Sequence, residues 1–182
     1  MTLHTTRIVT LVGSLRADSL NRRIAEALRD QAPDGVVMEI ADGLHELPFY
    51  NEDIDTDRVP LPVQTLRGLV SGADAVLAVT PEYNGTMPAV LNNAIDWLSR
   101  PYGVGALAGK PFGVVGATPT QYGGKWAHED ARRSATVAGA VVVDAALVSQ
   151  SALEVDVLND PTVVARFADA LQSLTAAHQS AA

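Results

Sequence analysis

Short runs of β-branched and aliphatic residues alternate along this chain with segments whose apolar side chains recur at a helical spacing. The first run is Arg7-Ile-Val-Thr-Leu-Val12. After it, Leu20, Ile24, Ala27 and Leu28 share one face at the 3.6-residue period, which predicts a helix. Pro33-Asp34-Gly35 cannot continue that helix. Val36-Val-Met-Glu-Ile40 predicts a second strand, and an acidic loop then runs to about Pro60. Residues 61–70 predict a helix and Ala75-Val-Leu-Ala-Val79 a third strand. The next helix has the clearest stripe: Met87, Val90, Leu91, Ala94, Ile95 and Leu98 line one face. Pro88 suits its first turn, where a missing N–H is no loss, and Pro101 lies past its end. Pro111-Phe-Gly-Val-Val-Gly-Ala117 reads as a strand, residues 125–138 as a helix, and Val141-Val-Val-Asp144 as a strand. A last helix begins at Asp160-Pro161 and turns Val163, Val164, Phe167, Leu171 and Leu174 inward, while the Ala/Ser/Gln-rich tail from Ser173 to Ala182 is expected to fray.

Strands that are nearly continuous apolar runs, separated by helices, are characteristic of a parallel sheet covered on both faces. The expected architecture is an α/β, flavodoxin-like, doubly wound five-stranded sheet of order 2-1-3-4-5, occupying residues 1–182 as one domain. In such sheets ligands bind beyond the carboxyl ends of the strands, at the switch point between strands 1 and 3.

Composition narrows the chemistry. The 182 residues contain no cysteine, which removes disulfides, thiolate metal sites and thiol nucleophiles. Asp plus Glu exceed Lys plus Arg by 21 to 13, so the formal net charge of −8 disfavours nucleic acid and anionic membranes as partners. No apolar run approaches the ~20 residues of a membrane-spanning helix, and no targeting signal is visible, so a cytoplasmic protein is expected.

The fold directs attention to three loops. Gly13-Ser-Leu-Arg-Ala-Asp-Ser-Leu-Asn21 follows strand 1 and feeds a helix, whose N-terminal N–H groups and partial positive charge suit a phosphate. Ser14, Ser19 and Asn21 add polar donors and Arg16 a full charge with planar donors. The alternative is that Ser19 caps the helix and Arg16 is solvated. Neither a G-x-G-x-x-G fingerprint nor a Walker A loop is present. Thr80-Pro-Glu-Tyr-Asn-Gly-Thr-Met-Pro88 follows strand 3; its prolines make it rigid, and Tyr83 and Asn84 sit at its apex. Ala117-Thr-Pro-Thr-Gln-Tyr-Gly-Gly-Lys125 follows strand 4, where Gly123 and Gly124 permit close approach to a ligand and Thr118 and Gln121 supply polar edges. Taken singly, the last two loops also read as ordinary turns. Together the three suit a ligand with one phosphate and a flat heteroaromatic ring, which FMN fits better than a dinucleotide.

These same residues resemble the NADPH-dependent FMN reductases, a flavodoxin-like family that includes quinone, chromate and azo reductases. The likeness rests on residues 13–21 with Ala25, on Pro81-Glu-Tyr-Asn-Gly-Thr-Met-Pro-Ala-Val-Leu-Asn-Asn-Ala-Ile-Asp-Trp-Leu-Ser-Arg100, and on Gly109-Lys-Pro-Phe-Gly-Val-Val-Gly-Ala117. It spans about residues 7–145. The resemblance implies that Ser14, Arg16, Ser19 and Asn21 hold the FMN phosphate. It implies that Pro81, Glu82, Tyr83 and Asn84 run along the ring, and that Thr118, Gln121, Gly123 and Gly124 form the wall beside it. It also implies NADPH or NADH as donor, hydride transfer to the flavin, and a quinone, azo dye, metal oxyanion or free flavin as small-molecule electron acceptor. No metal and no side-chain nucleophile is implied, and a homodimer or homotetramer is expected.

Other residues carry two readings each. Trp97 belongs either to the core or to an interface helix, His128 either to the pocket mouth or to the interior. His4 and His178 are expected at the surface, and Arg100 exposed at a helix end. Asn51, Glu52, Asp53, Asp55 and Asp57 read as a solvated loop, with a neighbour's active-site edge as the alternative. Two rival functions are a flavodoxin-type FMN electron carrier without NADPH turnover and a non-redox module of the same fold. Flavodoxin phosphate loops are rich in Thr, so Arg16 favours the reductase, and Gly13-Ser14 at the end of strand 1 lacks the acidic pair of a receiver domain.

Overall fold

Every residue of β1 (Thr6–Val12) except Arg7 is buried, and β3 (Ala75–Val79) and β4 (Pro111–Thr118) are buried at every position. Strands with no solvent face need cover on both sides, and the computed structural model supplies it. With β2 (Val36–Ile40) and β5 (Val141–Ser151) these strands form one sheet of order β2-β1-β3-β4-β5, parallel throughout. The structure describes residues 5–181, so His4 and the last residue of the tail lie outside it. On one face α2 (Leu61–Ser71), α3 (Ala89–Leu98) and α4 (Lys125–Val137) bury Val63, Leu66, Leu91, Ile95, Trp97, Ala131 and Ala135. On the other, α1 (Leu20–Asp30) and α5 (Pro161–Ala181) bury Ile24, Leu28, Val163, Phe167, Leu171 and Leu174.

Two segments differ from the sequence expectation. β5 runs eleven residues rather than four, with a register shift against β4 between Phe112 and Val114. It is an edge strand, so beyond Asp144 it buries alternate residues (Ala146, Val148, Gln150) instead of a continuous apolar run. The tail does not fray at Ser173. α5 continues to Ala181, because Leu174 extends the Phe167–Leu171 stripe into the core and Thr175 is buried beside it. The helix starts where expected, with the Asp160 carboxylate accepting from the N–H groups of Thr162 and Val163 at 2.9 and 3.0 Å. Pro88 caps α3 from just outside it.

The acidic loop is only partly solvated. Glu52, Asp53 and Asp57 are exposed, but Asp55 accepts two hydrogen bonds from the Arg67 guanidinium, at 2.8 and 2.9 Å, with both side chains largely covered. Arg67 also donates to the Trp97 carbonyl at 3.0 Å. These bonds hold the Asp55 carboxyl below the usual carboxylate range, against the opposing effect of burial. A depressed folded pKa means the pair stabilises above the ordinary carboxylate pKa of about 3.9, and this contribution is lost as pH falls through the folded value. Asp55→Asn is therefore expected to melt lower than the parent at pH 7, with the gap closing below about pH 4. Thermal melts from pH 7 to 3 check this, and a gap independent of pH would contradict it.

Trp97 is core: fully buried, with its indole N–H donating to the Pro48 carbonyl at 2.8 Å. Arg100 is half-buried over the Tyr50 ring, not freely exposed. His178 is mostly covered against Asp74, 3.6 Å away, rather than at the open surface.

Candidate functional site

The carboxyl ends of β1, β3 and β4 are neighbours in the sheet, so their loops meet. Between the first two loops lies a pocket of about 420 Å³ lined by Gly13, Leu15, Arg16, Tyr83, Pro88, Ala89 and Val90. A second pocket of about 300 Å³ adjoins it through Leu15 and Arg16 and reaches Ser14, Arg22, Asp42 and His45. Gly13 makes this proximity possible, since a Cβ there would stand 2.3 Å from the Thr80 hydroxyl.

The phosphate loop is built from the start of α1. Among the described residues, nothing accepts from the backbone N–H groups of residues 14–18. Arg16 is exposed and, among the described residues, pairs with no carboxylate, while Arg22 is bound to Glu26 and Asp42 at 2.9 and 2.8 Å. No acidic side chain occupies the first turn of the helix. This donor set suits a phosphate. Two residues expected among the ligands have other work. Ser19 is buried and caps α1, its hydroxyl accepting from the Arg22 N–H at 3.2 Å. Asn21 is buried too, and its amide grips the backbone of Ala117 at both ends: the N–H₂ donates to the carbonyl and the oxygen accepts from the N–H, each at 2.9 Å. Asn21 therefore ties α1 to β4.

The second loop is a ledge. Tyr83 and Thr86 exchange backbone hydrogen bonds at 3.0 and 3.1 Å around Asn84 and Gly85, both at positive φ (54° and 75°). That two-residue turn leaves Tyr83 and Asn84 exposed at the tip, as expected. The Glu82 side chain caps α4: its carboxylate accepts from the N–H groups of Trp126 and Ala127 at 3.0 and 3.3 Å. The Thr86 hydroxyl donates to Asp130 on the same helix. Pro81 is half-buried between these anchors.

The third loop packs largely against the protein itself. Gln121 is exposed, but Thr118 is buried with its hydroxyl 3.1 Å from that of Thr120. Gly123 and Gly124 are buried and approach the protein itself. A Cβ on Gly123 would meet the Gln150 backbone at 2.8 Å, and one on Gly124 would meet the His128 ring at 3.1 Å. His128 lies wholly inside, not at the pocket mouth. Its Nε2 is 3.0 Å from the Thr80 carbonyl and its Nδ1 is 2.7 Å from the Ser149 hydroxyl. Burial pushes this imidazole below its ordinary range, although the Thr80 carbonyl and Glu82 pull the other way. Ser149 lies beyond the point where β5 was expected to stop, so sequence reasoning missed it. The alternation of Ala146, Val148 and Gln150 was the available signal.

An anion cradle at the switch point of a parallel sheet, faced by a rigid aromatic-bearing ledge, defines a flavodoxin-like flavin protein. The chain belongs to the NADPH-dependent FMN reductase family, whose pattern matches residues 6–154. It is 44% identical over 127 residues to a quinone reductase of Pseudomonas putida, covering 70% of this chain and 68% of that one. A solved flavoenzyme NAD(P)H:(acceptor) oxidoreductase, FerB from Paracoccus denitrificans, superposes with a TM-score of 0.71 at 30% identity, over 96% of this chain and 94% of that one. A flavodoxin from Pseudomonas aeruginosa shares the fold, with a TM-score of 0.61 at 20% identity over 92% and 99% of the two chains. FMN is accordingly the cofactor and NAD(P)H the electron donor of this oxidoreductase. No described helix is long and apolar enough to cross a membrane.

Proposed function

We propose that this protein is a single-domain quinone reductase, which passes two electrons from NAD(P)H by way of bound FMN to a quinone-class acceptor. Bound FMN supplies the two-electron redox chemistry. The chain supplies binding and orientation. Arg16, Ser14 and the N–H groups of residues 14–18 hold the phosphate at the N-terminus of α1. Tyr83 and Asn84, presented by the turn tip, line the ring, and Gln121 reaches in from the third loop. The observation that carries the reading is the cluster of unpartnered donors at residues 14–18, set directly across a pocket from Tyr83. The quinone is supported by the relative named quinone reductase. The same reading makes the protein a cytoplasmic homodimer or homotetramer, supported by the exposed apolar side chains of Phe49, Tyr102 and Val104.

Two measurements test this. NADPH consumption followed at the nicotinamide band should rise on adding a quinone, above the rate with free FMN alone. No rise would leave an FMN electron carrier. Arg16→Ala should weaken FMN binding by about 1.5–3 kcal/mol, roughly 10- to 150-fold in Kd, since a charge-assisted hydrogen bond is lost. Fluorescence titration of the apoprotein reads this directly, and an unchanged Kd removes Arg16 from the site.

A further inference from the structure

The β3–β4 ladder stops one bond short of where its geometry would carry it. The Thr80 N–H donates to the Val115 carbonyl at 3.0 Å, so in a parallel ladder the Ala117 N–H should donate to the Thr80 carbonyl. It does not. Asn21 on α1 takes the Ala117 N–H at 2.9 Å, and His128 on α4 takes the Thr80 carbonyl at 3.0 Å. Two side chains from opposite faces of the sheet thus occupy the two halves of one missing ladder bond, at the point where the ligand loops diverge. A carbonyl only accepts, so Nε2 carries the proton, and Nδ1 of the neutral ring accepts from the Ser149 hydroxyl at 2.7 Å. Ser149 therefore sets the tautomer that Thr80 requires.

We propose that His128 is the positioning residue of the flavin ledge, holding the Thr80 carbonyl out of its ladder bond with Ala117 so that residues 81–88 leave the sheet at the angle FMN binding needs. Three features support this. Thr80 is fully buried, so its carbonyl has no water to satisfy it. The same helix grips the ledge twice more, through Glu82 and through Thr86. The glycines at 116 and 124 leave room for the ring, since a Cβ on either would come within about 3 Å of Nε2 (2.9 and 3.1 Å).

The inference rests on the FMN site proposed above, and its test separates the two. FMN is titrated into wild-type apoprotein, His128→Leu and His128→Gln, with thermal melts of each apoprotein and the visible circular dichroism of each complex. Wild-type protein that fails to bind FMN would defeat the FMN site itself. If it binds, His128→Leu is expected to raise the Kd roughly tenfold and alter the flavin dichroism, as one buried hydrogen bond to the ledge is lost. His128→Gln, which retains an N–H donor, is expected to restore both to within about threefold of wild type. A His128→Leu protein with lowered melting temperature but wild-type Kd and dichroism would overturn the proposal, because His128 would then only support the fold. Should His128→Leu not fold, Ser149→Ala carries the test. A raised Kd with altered dichroism supports the tautomer lock, and wild-type values of both refute it.

Discussion

Alanine at position 116 is expected to destabilise the protein by about 3 kcal/mol or more. Gly116 lies in β4, buried, with the Thr80 carbonyl and the side chains of Asn21 from α1 and His128 from α4 crowded around it. A methyl there would stand 2.1 Å from the Thr80 oxygen, 2.9 Å from the Asn21 amide oxygen and 2.9 Å from His128 Nε2. None of the three can yield cheaply. The first is backbone at the end of a buried strand. Asn21 is fixed at both ends of its amide, and His128 is held between two partners. Relief requires β3 and β4 to move apart or both side chains to abandon buried hydrogen bonds, each costing about 1–3 kcal/mol. Gly68 is the control. It is exposed in α2 with nothing within 4 Å of its would-be Cβ, so Gly68→Ala should be neutral or stabilising by up to about 1 kcal/mol. Urea unfolding of both variants checks the contrast. Equal midpoints for Gly116→Ala and the parent would mean that the close approach at Thr80 is not real.

Trp97→Ala is expected to cost about 3–5 kcal/mol, the range for removing a large buried aromatic. The ring is fully buried. Tyr50 meets it edge-on at 4.9 Å between centroids, and the Arg67 guanidinium lies 5.5 Å from the ring centre. Its N–H bond to the Pro48 carbonyl fastens the segment between β2 and α2 to α3. Asn93 adds to the same tie, accepting from the Tyr50 N–H at 2.8 Å and donating to the Pro48 carbonyl at 3.0 Å. Truncation therefore leaves a cavity and releases a loop together. Trp97→Phe keeps most of the volume and loses the N–H bond, for an expected cost of about 1–2 kcal/mol. Denaturant unfolding followed by far-ultraviolet dichroism measures both. An alanine variant losing less than about 1 kcal/mol would show that the site collapses freely.

Much of the architecture was legible because burial on both faces makes strands into apolar runs and helices into stripes. β2 and β3 sit where their residues predicted, and α1 starts at Leu20. β5 was read short for the same reason: an edge strand shows one face to solvent, and Asp144 interrupts its apolar run. The open donors after β1 were legible as well, because serines, an arginine and a helix start are local features. Glu82, Asn21, Gly123 and Gly124 have contacts within the protein that local reading does not reveal, because each is polar or small and lies beside a loop at the strand ends. Whether such a residue faces outward or inward depends on partners that, for Gly123, Glu82 and Asn21, lie 27, 44 and 96 positions away in the chain.

The chain by itself determined which segments become strands and helices, the order in which they alternate, and the clustering of donors around Arg16. These follow from period and local chemistry, which act over a few residues. The tertiary structure decided which polar groups of these loops bond to the rest of the fold and which stay open. Buried donors and acceptors must find partners, and the partners that Thr80, Ala117 and the first turn of α4 found (His128, Asn21 and Glu82) are brought to them only when the sheet and its helices assemble.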